Sequence, residues 1–173
     1  ILNDNWTIYG SYAYNRAELT EDAPNLIGLR DGSRVDAFDG DRLPGTPESQ
    51  GTVNINYHRP VADNLMMDID YGFTSTSDVY TKTGLRGSGE SLSGFTVHHL
   101  SAGISDETWS VRLFADNLFD KYAVTGVRND KDYIDKRADG DGIGSNQFTL
   151  RRYYQNVIRP RTIGIDFRYR FDL

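Results

Sequence analysis

The chain has 173 residues, a formal net charge of −6 and no cysteine, with a pI near 5.0 and a mean hydropathy of −0.58. That length suits one ordinary domain, the lack of thiols excludes a disulfide framework or a thiolate metal site, and the acidic balance argues against nucleic acid as a partner. No apolar run approaches the ~20 residues of a transmembrane helix, a limit that does not touch strand-built spans, in which only every second residue meets lipid.

The sequence opens at Ile1 on a strand approach, without an initiator Met or a signal peptide, so a longer parent chain is expected. The first alternating segment, "NWTIYGSYAYN", sets Trp6, Ile8, Tyr12 and Tyr14 against Thr7, Ser11 and Asn15. The second, "TVNINYH", sets Val53, Ile55 and Tyr57 against Thr52, Asn54 and Asn56. The third, "LMMDIDYGF", sets Leu65, Met67, Ile69, Tyr71 and Phe73 against Met66, Asp68, Asp70 and Gly72. Leu100, Ala102 and Ile104 alternate with Ser101 and Gly103 in the fourth. The fifth, "WSVRLFADNLF", places Trp109, Val111, Leu113, Ala115 and Phe119 opposite Ser110, Arg112, Phe114 and Asp116. The last, "RPRTIGIDFRYRF", divides Ile163, Ile165, Phe167, Tyr169 and Phe171 from Thr162, Gly164, Asp166, Arg168 and Arg170. Period 2 throughout, with no sustained helical period, predicts an all-β chain.

The connectors sort by length. "RPVADN" and "SDET" are hairpin-sized, whereas those near residues 17–50, 80–94 and 120–158 are long and rich in Gly, Asp, Ser and Arg. In an up-and-down meander that order puts every long loop at one end and both turns at the other, the asymmetry of outer-membrane barrels. The aromatics sort with it: Trp6, Tyr57, Trp109, Tyr169 and Phe171 at the turn end, Tyr12, Tyr14, Tyr71, Phe73 and Phe119 at the loop end, aliphatics between. Alternation alone suits a soluble sandwich equally. Strand length, sorted loops and sorted aromatics favour the membrane reading. The expected fold is an antiparallel meander of about six strands, part of a larger transmembrane β-barrel.

Three stretches carry a family resemblance. "VRLFADNLFDKYAV" (111–124) resembles the NLFDKxY signature of TonB-dependent outer-membrane receptors, "RPRTIGIDFRYRF" (159–171) resembles their last strand, and "GDRLPGTPES" (40–49) resembles the lead into an earlier strand. The resemblance implies a 22-stranded barrel with an N-terminal plug domain, driven through a periplasmic coupling protein that acts on the plug. The usual cargo is a ferric siderophore; haem, cobalamin or glycans serve in other branches. Residues 1–173 would be the C-terminal portion of such a barrel, without the plug. The resemblance also implies that Phe171 belongs to the signal read by the barrel assembly machinery, although Asp172 and Leu173 follow it where the family usually ends on the aromatic.

In that frame Asp68, Asp70, Arg112, Asp116, Asp166, Arg168 and Arg170 line the lumen, as an ion-paired wall facing the plug or as a cargo path, the wall being favoured. Outer loops receive cargo. Arg151, Arg152, Tyr153 and Tyr154 in "RRYYQN", with Arg30 and Arg34, pair cations with aromatic faces and would suit an anionic siderophore-like chelate; the alternative is a strand extension that packs on neighbouring loops. Asp116 and Asn117 point to opposite faces and cannot chelate together; neither can His98 and His99. Asn117 and Asp120 are expected to bond backbone groups at the strand end. Asp139 and Asp141 have part of a calcium-loop spacing, but Ile143 stands where an oxygen ligand is needed, so a solvated turn is expected. No nucleophile elbow, phosphate loop or zinc motif is present, and neither catalysis, a metal nor a cofactor is expected. Two rivals stay open. A porin or adhesion scaffold would lack an upstream plug, and a soluble β-sheet binding module would be stable without detergent.

Overall fold

The alternating segments pair into one antiparallel sheet. The computed structural model describes residues 4–29, 33–87, 89–129, 133–135, 148–150 and 153–171. Along them run β1 (Trp6–Tyr14), β2 (Ala23–Gly28), β3 (Arg34–Ala37), β4 (Ser49–Ala62), β5 (Leu65–Thr76), β6 (Val79–Tyr80), β7 (Ser91–Leu92), β8 (Phe95–Ser105), β9 (Trp109–Asp116), β10 (Val124–Asn129), β11 (Tyr133–Asp135), β12 (Phe148–Leu150), β13 (Tyr153–Val157) and β14 (Thr162–Tyr169), with one 3-10 turn at Thr83–Leu85. The six-stranded sheet has the order β1-β4-β5-β8-β9-β14, so each strand pairs with the next sheet strand in sequence. This is the predicted up-and-down meander.

The strands outrun the alternation that announced them. β4 has 14 residues and β5 has 12, against the ~9–11 that a tilted strand needs to cross a bilayer. "RPVADN" shrinks to the two residues Asp63 and Asn64, because β4 and β5 stay paired through Pro60↔Met66 to Ala62↔Leu65 with a bulge between. Pro60 is tolerated there because β1 has ended: its ladder on β4 begins at Trp6↔Tyr57, so the missing Pro60 N–H faces no neighbour. β9 stops at Asp116, short of the predicted Phe119, and the positive φ of Asn117 and Asp120 ends it.

The long connectors build structure of their own. β2 pairs β3, β6 pairs β7, β10 pairs β13 and β11 pairs β12, each as a two-stranded sheet. Bonds between the first two long connectors, such as the Gly45 N–H to the Tyr80 carbonyl, and the contact of β10 with β7 gather the β2–β3, β6–β7 and β10–β13 pairs into a lobe at the loop end. The few buried apolar side chains among the described residues are Ile27, Ala37 and Ala123, all within these connectors. The six-stranded sheet is a single layer. A soluble sandwich would cover its apolar face with a second sheet, yet Ile163 is 72% exposed, Phe167 64% and Leu113 55%. β1 and β14 each pair on one side only among the described residues, which makes the sheet an open arc.

Candidate functional site

Register converts the sequence parities into two faces. One ladder row runs Trp6–Tyr57–Ile69–Ala102–Leu113–Ile165 and the next Ile8–Ile55–Tyr71–Leu100–Ala115–Ile163. A third runs Met67–Ile104–Val111–Phe167. Trp6 packs against Tyr57 in a tilted pair with ring centroids 4.6 Å apart, and Tyr169 meets Phe171 at 4.8 Å, both toward the turns. At the loop end, His98 lies 5.9 Å from Tyr71, 5.6 Å from Phe73 and 4.9 Å from Phe119, and its Nδ1 shares a 2.8 Å hydrogen bond with the Tyr71 hydroxyl. One row further on the same face turns polar, where Thr96 donates to the Ser75 hydroxyl at 3.0 Å. From Ile163 to Phe171 the apolar stripe covers about 26 Å along the strand, or about 20 Å of depth at the usual barrel tilt of ~35–45°. Aromatic ends on an aliphatic band are what a lipid-facing surface requires.

The opposite face is polar. Asn56 Nδ2 donates to Asp68 Oδ1 at 2.6 Å and Asp70 Oδ1 at 2.8 Å, Ser101 donates to Asp70 at 3.4 Å, and Asn56 Oδ1 meets His58 Nδ1 at 3.2 Å. Asp68, Gly103, Arg112 and Asp166 share one row, and Asp166 is bridged at 3.0 Å by Arg168. Asp116 pairs with His99 and Thr162, and the Arg170 amide donates to the Thr108 carbonyl at 2.7 Å. Phe114 is the large aromatic that breaks this polar pattern in β9. Its ring lies where a Cβ on Gly164 would stand, as the His99 ring does over Gly72. His98 and His99 therefore occupy opposite faces, as the alternation requires.

At the junction of sheet and lobe, Asn117 is only 4% exposed. Its Nδ2 donates to the carbonyls of Lys121 at 2.9 Å and Arg159 at 3.0 Å, while its Oδ1 accepts the Lys121 N–H at 2.8 Å. Asp120 Oδ1 accepts the Arg161 N–H at 3.0 Å. The two residues of the "DNLFDK" stretch thus tie the end of β9 to the start of β14, with backbone bonds of the kind expected for them. Phe119 keeps the lipid-facing side through its contact with His98, although strand alternation stops before it.

The lobe has a second fastening that the alternation did not disclose. Arg42, with a side chain 12% exposed, bonds Asp78 Oδ2 at 2.8 Å and lies 4.5 Å over the Tyr80 ring. Arg86 Nε meets Asp41 Oδ2 at 2.5 Å and sits 4.1 Å over Phe38. The bond from Arg86, supported by the Phe38 N–H, holds the Asp41 carboxyl below its ordinary pKa. Gly84, at φ +56°, leaves the room that the Asp41 carboxylate fills. A signal was present in "GDRLPGTPES", whose Asp41 and Arg42 begin the fastening, but their partners lie in another connector.

Of the proposed cargo residues, Arg30, Arg151 and Arg152 lie outside the described residues, as do Asp139 and Asp141. Tyr153 opens β13 and Tyr154 pairs Arg128 across the β10–β13 ladder. Arg34 Nη1 reaches the Asn25 carbonyl at 3.3 Å and lines an open cavity with Val35, Asp36, Phe38, Arg86 and Gly87, a lining that includes no residue of β10 or β13. A separate cleft of about 340 Å³ lies between Glu90–Gly94 and Lys121–Val124, with Gln155 on its wall. No group of three or more His, Cys, Asp or Glu among the described residues could hold a metal. No described helix is long and apolar enough to cross a membrane.

A family model described as "TonB dependent receptor-like, beta-barrel" matches residues 2–118, the span from β1 to the end of β9 with the first two connectors. No curated protein and no solved structure matches the chain.

Proposed function

The chain belongs to the TonB-dependent receptor β-barrel family, an outer-membrane receptor and transport family of Gram-negative bacteria, and from that premise we propose that it serves energy-coupled uptake of a ferric siderophore or a similar scarce chelate. The observation that carries the proposal is the division of the sheet: an unburied apolar face, a hydrogen-bonded polar face and a folded lobe at one end only. A lipid-facing wall with a polar interior is a transport scaffold, and the lobe is the part cargo meets first.

In this reading residues 1–173 are the C-terminal portion of the barrel. Asp68, Asp70, Arg112, Asp116, Asp166, Arg168 and Arg170 face the parent's plug domain, through which a periplasmic coupling protein acts. The Asn56-centred bonds already satisfy Asp68 and Asp70, which supports a wall in preference to a cargo path. Arg34, Tyr153 and Tyr154, with Arg30, Arg151 and Arg152, are the cargo contacts, and Phe171 is read by the barrel assembly machinery. Cells carrying or lacking the full-length receptor would be given a panel of labelled ferric siderophores, with and without a proton uncoupler. Uptake of at least one that needs both receptor and proton gradient is expected. Uptake through the receptor that ignores the uncoupler would make it a passive pore.

A further inference from the structure

The polar face of the sheet divides by strand. On β5, Asp68 and Asp70 are already held, both accepting from Asn56 Nδ2 at 2.6 and 2.8 Å, with Ser101 donating to Asp70. β9 offers the opposite case. Its side chains on this face run Ser110, Arg112, Phe114 and Asp116, about 7 Å from one to the next. Arg112 is exposed, and no ion pair among the described residues uses it. It stands in register with Gly103 on one side and Asp166 on the other, but Asp166 is taken by Arg168 at 3.0 Å. Phe114 leans its ring over Gly164, so an apolar plane lies beside the open guanidinium.

An arginine and an aromatic ring side by side are the pair enriched where one protein surface anchors another. Their order tells what they hold. An anionic cargo descending from the loop end would meet Asp116 before Arg112, and that carboxylate would repel it. A fixed segment has no such difficulty, because base, ring and acid each meet a complement at once. Successive same-side residues of an extended segment are spaced as these three are. Its complement is a carboxylate on Arg112, an apolar side chain on Phe114 and an amide or ammonium donor on Asp116. The domain that fills the barrel in this family is the plug.

We propose that the column Arg112, Phe114 and Asp116 anchors the parent's plug on this wall, and that it takes an extended plug segment whose acid lies toward the turn end and whose donor lies toward the loop end. The proposal rests on the plug-facing reading of the polar face given above and narrows it, since Asp68 and Asp70 fall outside the anchor. In the test, p-benzoylphenylalanine replaces Phe114 in the full-length receptor, membranes are irradiated, and the cross-linked peptide is read by mass spectrometry. A plug peptide with Asp or Glu two residues from an apolar side chain is expected. Arg112→Glu should lower that cross-link about tenfold or more, as when like charges replace a close opposed pair, and Arg112→Lys should keep most of it. Reversing the plug acid to Lys in the Arg112→Glu background should restore it, and Asp68→Asn should leave it unchanged. A cross-link within the barrel alone, or to a plug peptide without a carboxylate, would overturn the proposal with no change at Arg112. So would a yield indifferent to Arg112→Glu, or one that Asp68→Asn lowers as much. Capture of an added ferric siderophore in place of the plug would also overturn it, since that outcome assigns the column to cargo. Siderophore uptake by the wild-type receptor is read separately: no uptake with the plug cross-link in place would refute the transport proposal and leave this anchor standing.

Discussion

The six-stranded sheet and the lobe above it are stabilised in opposite ways. The sheet has long ladders and leaves its large apolar side chains uncovered. The lobe has short ladders, yet it holds Ile27, Ala37 and Thr83 buried and fastens its connectors with Arg42–Asp78 and Asp41–Arg86. The lobe buries apolar side chains and fastens its connectors with ion pairs, the means by which a chain holds together in water. The sheet's apolar face is left uncovered by the described residues and calls for an apolar solvent, as a wall in lipid does. One chain thus answers to two media, and Asn117 sits where they meet.

Charge on the lipid side should break the comparison most severely. Arg112 already stands on the polar face, whereas Leu113, one residue on, lies in the middle of the apolar band. Leu113→Arg in the full-length receptor should cost about 2–4 kcal/mol and deplete the folded, heat-shifted band on a gel, while Ser110→Arg on the polar face should leave that band intact. Next comes the junction. Asn117→Ala removes three hydrogen bonds from a buried amide and strands two carbonyls and an N–H, for about 2–3 kcal/mol; denaturant titration in detergent would read it.

Within the lobe the effects are smaller and local. Arg42→Ala should cost about 1–2 kcal/mol, since Asp78 remains partly solvated. Amide exchange should quicken at Gly45 and Gly84, whose N–H groups bond Tyr80 and Arg42 across the two connectors, and not in β5 or β8. The smallest effect concerns pH. Asp41 has a depressed pKa in the folded protein, so its contribution is present above the ordinary carboxylate value of ~3.9 and is lost as pH falls below it. Exchange at the Phe38 amide, which donates to Asp41 at 2.8 Å, should show no opening of the fastening between pH 5 and 8 and a progressive opening as pH falls from about 4 through the depressed pKa of the folded carboxyl.

The sheet was legible in the sequence because its code is local. Side chains two apart share a face, so Val111, Leu113 and Ala115 declare their side without knowledge of any partner. Turn ends are local too: Asp106 accepts N–H groups from Thr108 and Trp109 within three residues. Burial pushes its carboxyl up, but those bonds outweigh it and hold its pKa below the ordinary value. The lobe was not legible for the converse reason. Asn117 meets Arg159 across 42 residues and Arg86 meets Asp41 across 45, and no period announces such pairs. Strand ends failed in both directions, since Asn117 could stop β9 only through a left-handed backbone that alternation does not encode, while β4 and β5 ran on past Pro60.

The account stands on which face of the sheet meets lipid, and the absence of cysteine from these 173 residues leaves each sheet position open to a single label once any cysteine elsewhere in the receptor is replaced. Single cysteines at positions 110 to 116 of the full-length receptor, spin-labelled in bilayers, would be probed with oxygen, which partitions into lipid, and with a water-soluble nickel chelate. Relaxation by oxygen should peak at 111, 113 and 115 and fall at 110, 112, 114 and 116, with the chelate in the opposite phase or excluded. Labels that alternate with the reverse phase, or that meet the chelate equally at every position, would contradict the lipid-facing assignment of the apolar side.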